Sequence, residues 1–178
     1  MLKTLKTIAG IGIVTEQAPA PDEALRVRDD LEQRIRERLG RALCIRHIDA
    51  GSCNGCELEI HALNNPIYNL EGLGIKFVAS PRHADLLLVT GPVSRHMEAA
   101  LRSAYAATPD PKLVVAVGDC GCTGGIYGES YASRGRVQNV IPVDIAVPGC
   151  PPSPTRLLAA ILTAVTTGKK SGAEPARP

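Results

Sequence analysis

Aromatic side chains are scarce in this chain: 178 residues include no Trp, one Phe and four Tyr. With a net charge of only +2, the protein has neither a stacking platform nor a basic field for nucleic acid, and nucleic-acid binding is not expected. Long apolar runs are also missing. No stretch approaches the ~20 residues that a membrane span requires, and the run around Leu157–Val165 is too short. There is no Walker A loop and no Gly-x-Gly-x-x-Gly fingerprint opening a helix, so nucleotide chemistry is not expected of this chain alone. A secretory leader is only imitated. Lys3 and Lys6, the apolar run Ile8–Val14 and Ala18-Pro19-Ala20 follow its outline, but Gly10 and Gly12 break the run and Glu16 precedes the supposed cleavage site. The expectation is a chain that is not exported, whose six cysteines are not a disulfide framework.

What is present fits one ordinary folded domain, with 44% apolar and 21% charged residues. Residues 1–41 read as an N-terminal arm and an amphipathic helix. Val27, Leu31, Ile35 and Leu39 recur every fourth position within a charged segment over 22–39, and Gly40 stops it. Residues 42–167 alternate short apolar runs with helical segments, the pattern of βαβ units. Strands are expected at Leu43–Ile48, Ile75–Ala79, Leu86–Thr90, Leu113–Val117 and Val143–Val147, most of them apolar on both faces. Helices are expected at Cys56–Leu63, Ser94–Ala107 and Ser153–Thr167, the last with Ser153 as cap and Pro154 at its first position. The fold expected is an α/β, flavodoxin-like open parallel sheet with helices on both faces. Residues 168–178 read as a flexible tail.

Four cysteines stand in three loops, each following an expected strand: Cys53-Asn54-Gly55-Cys56, Gly118-Asp119-Cys120 and Pro148-Gly149-Cys150-Pro151-Pro152. In open parallel sheets ligands gather beyond the carboxyl ends of the strands, so these distant positions can converge on one centre. Glycines accompany every one of them and let the backbone come close to a bound group. Four thiolates suit tetrahedral zinc or a cubane iron–sulfur cluster, and Cys53-x-x-Cys56 alone could be a thiol redox pair. Structural zinc sites usually use two paired knuckles, whereas here there is one pair, and a redox pair leaves Cys120 and Cys150 without a role. The residues favour iron–sulfur, with zinc and thiol redox still open. Cys44 reads as a buried small apolar residue and Cys122 as a thiol that is not a ligand. His47, His61, His83 and His96 are scattered singly and read as structural.

Four ordered blocks carry a resemblance. Cys53-Asn54-Gly55-Cys56-Glu57-Leu58-Glu59, Pro81–Asp85 leading to Thr90-Gly91-Pro92-Val93, Gly118-Asp119-Cys120 with Gly124-Gly125, and Val147-Pro148-Gly149-Cys150-Pro151-Pro152-Ser153-Pro154 resemble the small subunit of [NiFe] hydrogenases and the homologous 20-kDa subunit of respiratory complex I. The likeness covers about residues 42–167. It implies one [4Fe–4S] cluster on Cys53, Cys56, Cys120 and Cys150. The spacing Cys-x-x-Cys, in place of the adjacent cysteines of the complex I subunit, looks like the hydrogenase side. The twin-arginine signal and C-terminal cluster domain of periplasmic uptake hydrogenases are not seen, so the resemblance is to membrane-bound, energy-converting hydrogenases, including those of formate hydrogenlyase type. The resemblance further implies an electron-transfer subunit, not catalytic alone, on the cytoplasmic side of the cell membrane. Its implied partners are a hydrogenase-like large subunit, a ferredoxin-like iron–sulfur subunit and integral membrane subunits. Glu59 matches a glutamate that the complex I relatives carry and is the candidate for proton coupling, ahead of Glu57. The alternative is a complex I-like module that reduces quinone or another acceptor without nickel.

Overall fold

A computed structural model describes residues 23–167, with Lys6 and Gly10, of the 178-residue chain. Most of the expected arm and all of the expected tail at 168–178 lie outside the described residues. In chain order the elements are helix α1 (Glu23–Leu39), strand β1 (Leu43–Asp49), helix α2 (Gly55–Ala62), strands β2 (Ile75–Phe77) and β3 (Leu86–Thr90), helix α3 (Arg95–Ala107), strand β4 (Leu113–Val117), helix α4 (Gly118–Thr123), strand β5 (Ile145–Val147) and helix α5 (Pro154–Thr167). Three short 3-10 turns lie between them, at Leu70–Leu73, Pro81–His83 and Val137–Asn139.

The five strands form one parallel sheet in the order β2-β1-β3-β4-β5. This is the flavodoxin-like order, as the sequence suggests. Two strands are shorter than their apolar runs. The expected Ile75–Ala79 pairs only to Phe77, and Val143–Val147 pairs only from Ile145. Both are edge strands, which pair on one side only.

Alternation along the strands divides the core into two layers. Leu86 and Leu88 of β3, with Val115 and Val117 of β4, face α1, α2 and α5, where Leu31, Ile35, Ile60, Leu157 and Ile161 are buried. Leu87 and Val89, with Val114 and Ala116, face α3, where Leu101 is buried beside Val137 and Val140. Every residue of β3 is buried, as a central strand covered on both faces requires. Helix α1 therefore joins the core through Leu31 and Ile35 of its apolar stripe.

Strand and helix starts are fixed by short side chains. Asp85 accepts both guanidinium nitrogens of Arg41, at 3.0 and 2.5 Å, and the Cys44 N–H at 3.0 Å, tying the start of β1 to that of β3. Asp144 accepts the Val114 N–H at 2.8 Å, doing the same for β4 ahead of β5. Ser94 caps α3 through the Met97 N–H, and Ser153 receives the Arg156 N–H ahead of Pro154, as the cap residues predict. Among the described residues no helix is long and apolar enough to cross a membrane.

Candidate functional site

The chain runs from β1 outward to β2 and returns to β3, so the strand order reverses between β1 and β3. A crevice opens at the carboxyl ends of strands at such a point. The loops after β1 and β3 touch there. A Cβ on Gly91, directly after β3, would stand 2.6 Å from the Ser52 nitrogen, and Gly91 has φ +77°. Only glycine allows this approach without moving the backbone that leads to Cys53.

Local hydrogen bonds shape the first cysteine loop. Asp49 Oδ1 accepts the N–H groups of Gly51 at 2.8 Å and Ser52 at 2.7 Å, and Ser52 Oγ accepts the Asn54 N–H at 3.1 Å. Burial pushes the Asp49 carboxyl up, but those N–H groups outweigh it and hold its pKa below the usual value. Asn54 then takes a left-handed conformation, φ 70°, and α2 begins at Gly55 with Cys56 in its first turn.

The third and fourth ligand candidates, Cys120 and Cys150, follow β4 and β5. Gly118–Thr123 is a short helix rather than the expected loop, and Cys120 and Cys122 both lie within it. Cys150 follows Gly149, and the Cys150–Pro151 peptide is cis. Cys53 and Cys150 are exposed, while Cys56 and Cys120 are half-buried.

The four thiols lie close enough to act on one another. Burial pushes the Cys56 thiol up to about 12, and the charges of Glu57, Cys53, Cys120 and Cys150 add to that shift. Cys120 is raised by burial and then by Cys150 and Cys53. Glycines form the walls between them. A Cβ on Gly118 would meet Cys56 Sγ at 2.7 Å, one on Gly125 would meet Cys120 Sγ at 2.8 Å, and one on Gly55 would lie 3.6 Å from Cys53 Sγ. Two loops and the helices α2 and α4 thus present four sulfurs at one sheet edge with backbone packed against them. Among the described residues no three His, Cys, Asp or Glu side chains gather tightly enough for a single metal ion.

Cys122 is turned elsewhere. Its Sγ lies 3.6 Å from the Ala116 carbonyl, back toward β4, and its charged neighbour is Asp119 rather than the other thiols. Burial raises it to about 11. Cys44 sits in β1 with Sγ 3.8 Å from the Ala42 carbonyl; it is half-buried rather than fully buried.

Behind Cys56 is a polar group that motif reading did not reveal. His47 and Thr90 project from β1 and β3 toward the α2 side of the sheet, and Glu57 of α2 meets them there. Thr90 is fully buried and Glu57 is 6% exposed. The Thr90 hydroxyl donates to Glu57 Oε1. His47 Nε2 lies 3.1 Å from Thr90 Oγ1 and 3.7 Å from Glu57 Oε1. Glu57 Oε2 is buried without a hydrogen-bond partner among the described residues. Burial pushes the His47 imidazole below its ordinary range, against the pull of Glu57 and Asp49. Glu59, the carboxylate favoured by resemblance, is half-buried on the same helix. The available signal for Glu57 was its place directly after a ligand candidate in the first turn of α2. His61, His83 and His96 do not join this group.

Comparison with known proteins agrees with the blocks. A family model described as the NADH ubiquinone oxidoreductase 20 Kd subunit matches residues 53–164, which contain all four cysteines. A probable membrane-bound hydrogenase subunit of Pyrococcus furiosus is 44% identical over 141 residues, covering 78% of this chain and 84% of that one. Formate hydrogenlyase subunit 7 of Escherichia coli is 43% identical over 122 residues, covering 68% of this chain and 48% of that protein. A subunit of the NADH-quinone oxidoreductase of Desulfovibrio desulfuricans is 44% identical over 102 residues, covering 57% of this chain and 55% of that one. Among solved structures, one from a membrane-bound sulfane sulfur reductase, an archaeal respiratory membrane complex, aligns with TM-score 0.63 and 32% identity over 79% of this chain and 78% of that one. These relatives are subunits of oxidoreductase complexes, and the stretch matched by the family model contains strands β2 to β5. The chain belongs to the NADH ubiquinone oxidoreductase 20 Kd subunit family, which also takes in hydrogenase and formate hydrogenlyase subunits.

Proposed function

We propose that this chain holds one [4Fe–4S] cluster on Cys53, Cys56, Cys120 and Cys150. It serves as the electron-transfer subunit next to the active site of a hydrogenase-like large subunit in a membrane-bound complex. The observation that supports this most is the convergence of four thiols, from two loops and the helices α2 and α4, at one sheet edge, walled by Gly55, Gly118 and Gly125. The donor set fits the group: soft thiolates with glycine backbone against them suit an iron–sulfur core. A bound cluster would supply one-electron transfer.

The protein's own residues hold and shield that group. Cys56 and Cys120 anchor it from the half-buried side, while Cys53 and Cys150 bind from the exposed side. Burial favours the protonated thiol at Cys56 and Cys120, so holding a metal group as thiolates would require both to give up their protons. Large apolar side chains flank the ligands in sequence. Leu58 is 62% exposed, and Ile126, directly after Gly125, is 93% exposed. Such a rim, beside a site open to water, fits coverage by the large subunit. Electrons would pass to a ferredoxin-like subunit, with integral membrane subunits completing the complex on the cytoplasmic side. Glu59 is proposed to couple a proton to this transfer at the interface with the large subunit.

A second reading is favoured by the likeness to the sulfane sulfur reductase chain. In that reading the same subunit serves a complex I-like module that reduces quinone or another acceptor without nickel. The deciding experiment is anaerobic purification with the native partners. A brown protein with about four iron and four sulfide per chain supports the cluster, and a colourless, zinc-loaded one overturns it. Nickel in the large subunit, with two Cys-x-x-Cys motifs in its sequence, separates the hydrogenase reading from the second.

A further inference from the structure

The residue before Cys120 and the residue before Cys150 are joined twice. The Asp119 N–H donates to the Gly149 carbonyl at 2.9 Å, and Asp119 Oδ1 accepts the Gly149 N–H at 2.8 Å. The Asp119 carbonyl also accepts the Gly125 N–H at 3.1 Å and the Thr123 hydroxyl at 2.9 Å. Gly125 is packed against Cys120 Sγ. One residue thus ties together the α4 turn that carries Cys120, the loop that carries Cys150 and the glycine packed against Cys120 Sγ.

The backbone bonds could be made by any residue other than proline. The side-chain bond could not, because it needs a short acceptor at position 119, and a carboxylate accepting an amide N–H is a strong, charge-assisted case. The same carboxylate brings a negative charge near the site, close enough to act on the thiols of Cys120 and Cys122.

We propose that Asp119 is a positioning residue of the electron-transfer site, fixing the Cys150 loop against the Cys120 turn and lowering the reduction potential of the group they hold. The inference rests on the reading that these cysteines bind an iron–sulfur cluster. A fixed negative charge opposes the arrival of an electron nearby, and hydrogen bonds and net charge are among the factors that set cluster potentials.

Two substitutions separate the two effects. Asp119→Asn keeps an Oδ1 acceptor and removes the charge, whereas Asp119→Ala removes both. Each is compared with the unaltered protein in the anaerobically purified complex, by iron and sulfide content, by loss of iron to a chelator and by redox titration followed by EPR. Asp119→Asn should keep its full iron and show an upward shift in midpoint potential. Asp119→Ala should lose iron several-fold faster. An unchanged potential in Asp119→Asn, iron loss from it as fast as from Asp119→Ala, or wild-type retention in Asp119→Ala would each overturn the proposal. If Asp119→Ala does not accumulate, the iron content and potential of Asp119→Asn decide alone. A wild-type complex without iron and sulfide would sink the cluster reading itself, whereas the failures just named leave that reading standing.

Discussion

The hydroxyl of Thr90, at the end of β3, donates to Oε1 of Glu57, the residue directly after Cys56 in the first turn of α2. The pair connects the central strand to the helix that carries a proposed ligand. Replacing Thr90 by Val keeps the shape but leaves a buried carboxylate with neither oxygen bonded to that strand. The expected cost is about 1–3 kcal/mol, and Thr90→Ser should recover most of it. Denaturant unfolding of the three proteins checks this, and equal midpoints for Thr90→Val and wild type would count against it.

Cys53, Cys56, Cys120 and Cys150 should behave as one set. Changing any one to Ala should bring iron and acid-labile sulfide to background. Cys44→Ala and Cys122→Ala should keep both, because their sulfurs face the Ala42 and Ala116 carbonyls instead. Retention in Cys150→Ala together with loss in Cys122→Ala would reassign the ligands.

Glu59→Gln keeps the size of the side chain and removes its titratable proton. Iron content should stay as in the wild type, while turnover of the assembled complex falls about tenfold or more. Unchanged turnover would return Glu59 to an ordinary helix position.

Gly118 has φ +81°, and a Cβ there would meet Cys56 Sγ at 2.7 Å. Gly118→Ala adds a left-handed penalty of about 1–2 kcal/mol to a direct clash with a proposed ligand. Both stability and iron content should drop. Gly128→Ala carries a similar positive φ but meets nothing within 4 Å, so it should lose stability and retain iron. Equal iron contents in the two variants would show that the wall at Gly118 is not needed.

The lowered pKa of His47 has a defined sign. Burial makes the folded protein bind a proton at His47 less readily than the unfolded chain does. Its contribution to stability is therefore lost as pH falls through the unfolded value of about 6.5 and levels off below the depressed folded value. Unfolding midpoints should fall across that window, and His47→Gln should flatten the profile. An identical slope in the variant would remove His47 as the source.

Much of this architecture can be read from residue order, for physical reasons. Leu86–Thr90 and Leu113–Val117 carry apolar side chains at nearly every position, toward both faces, because both faces are covered, so their runs mark their strands residue by residue. At the edges that logic weakens, and the runs at Ile75 and Val143 outlast the pairing. Helix α4 was invisible because six residues, two of them glycine, have no apolar period; it forms because Gly118 turns the chain straight out of β4. The cysteine set was legible through its position after strands. The Glu57, Thr90 and His47 group was not, since its members come from three elements and meet only through the parallel register of β1 and β3. On α2 it is Glu57 that takes the buried place, whereas resemblance pointed to Glu59.

The three residues of β5 pair only with β4, at the rim of the sheet, and Cys150 comes soon after them. A ribosome releases Cys53 and Cys56 long before that strand exists. No nascent chain can offer all four sulfurs until β5 and the loop after it have emerged, so on the proposed ligand set a three-residue edge strand precedes the last sulfur to arrive. Iron offered before that point would meet Cys53, Cys56 and Cys120 without the fourth proposed ligand.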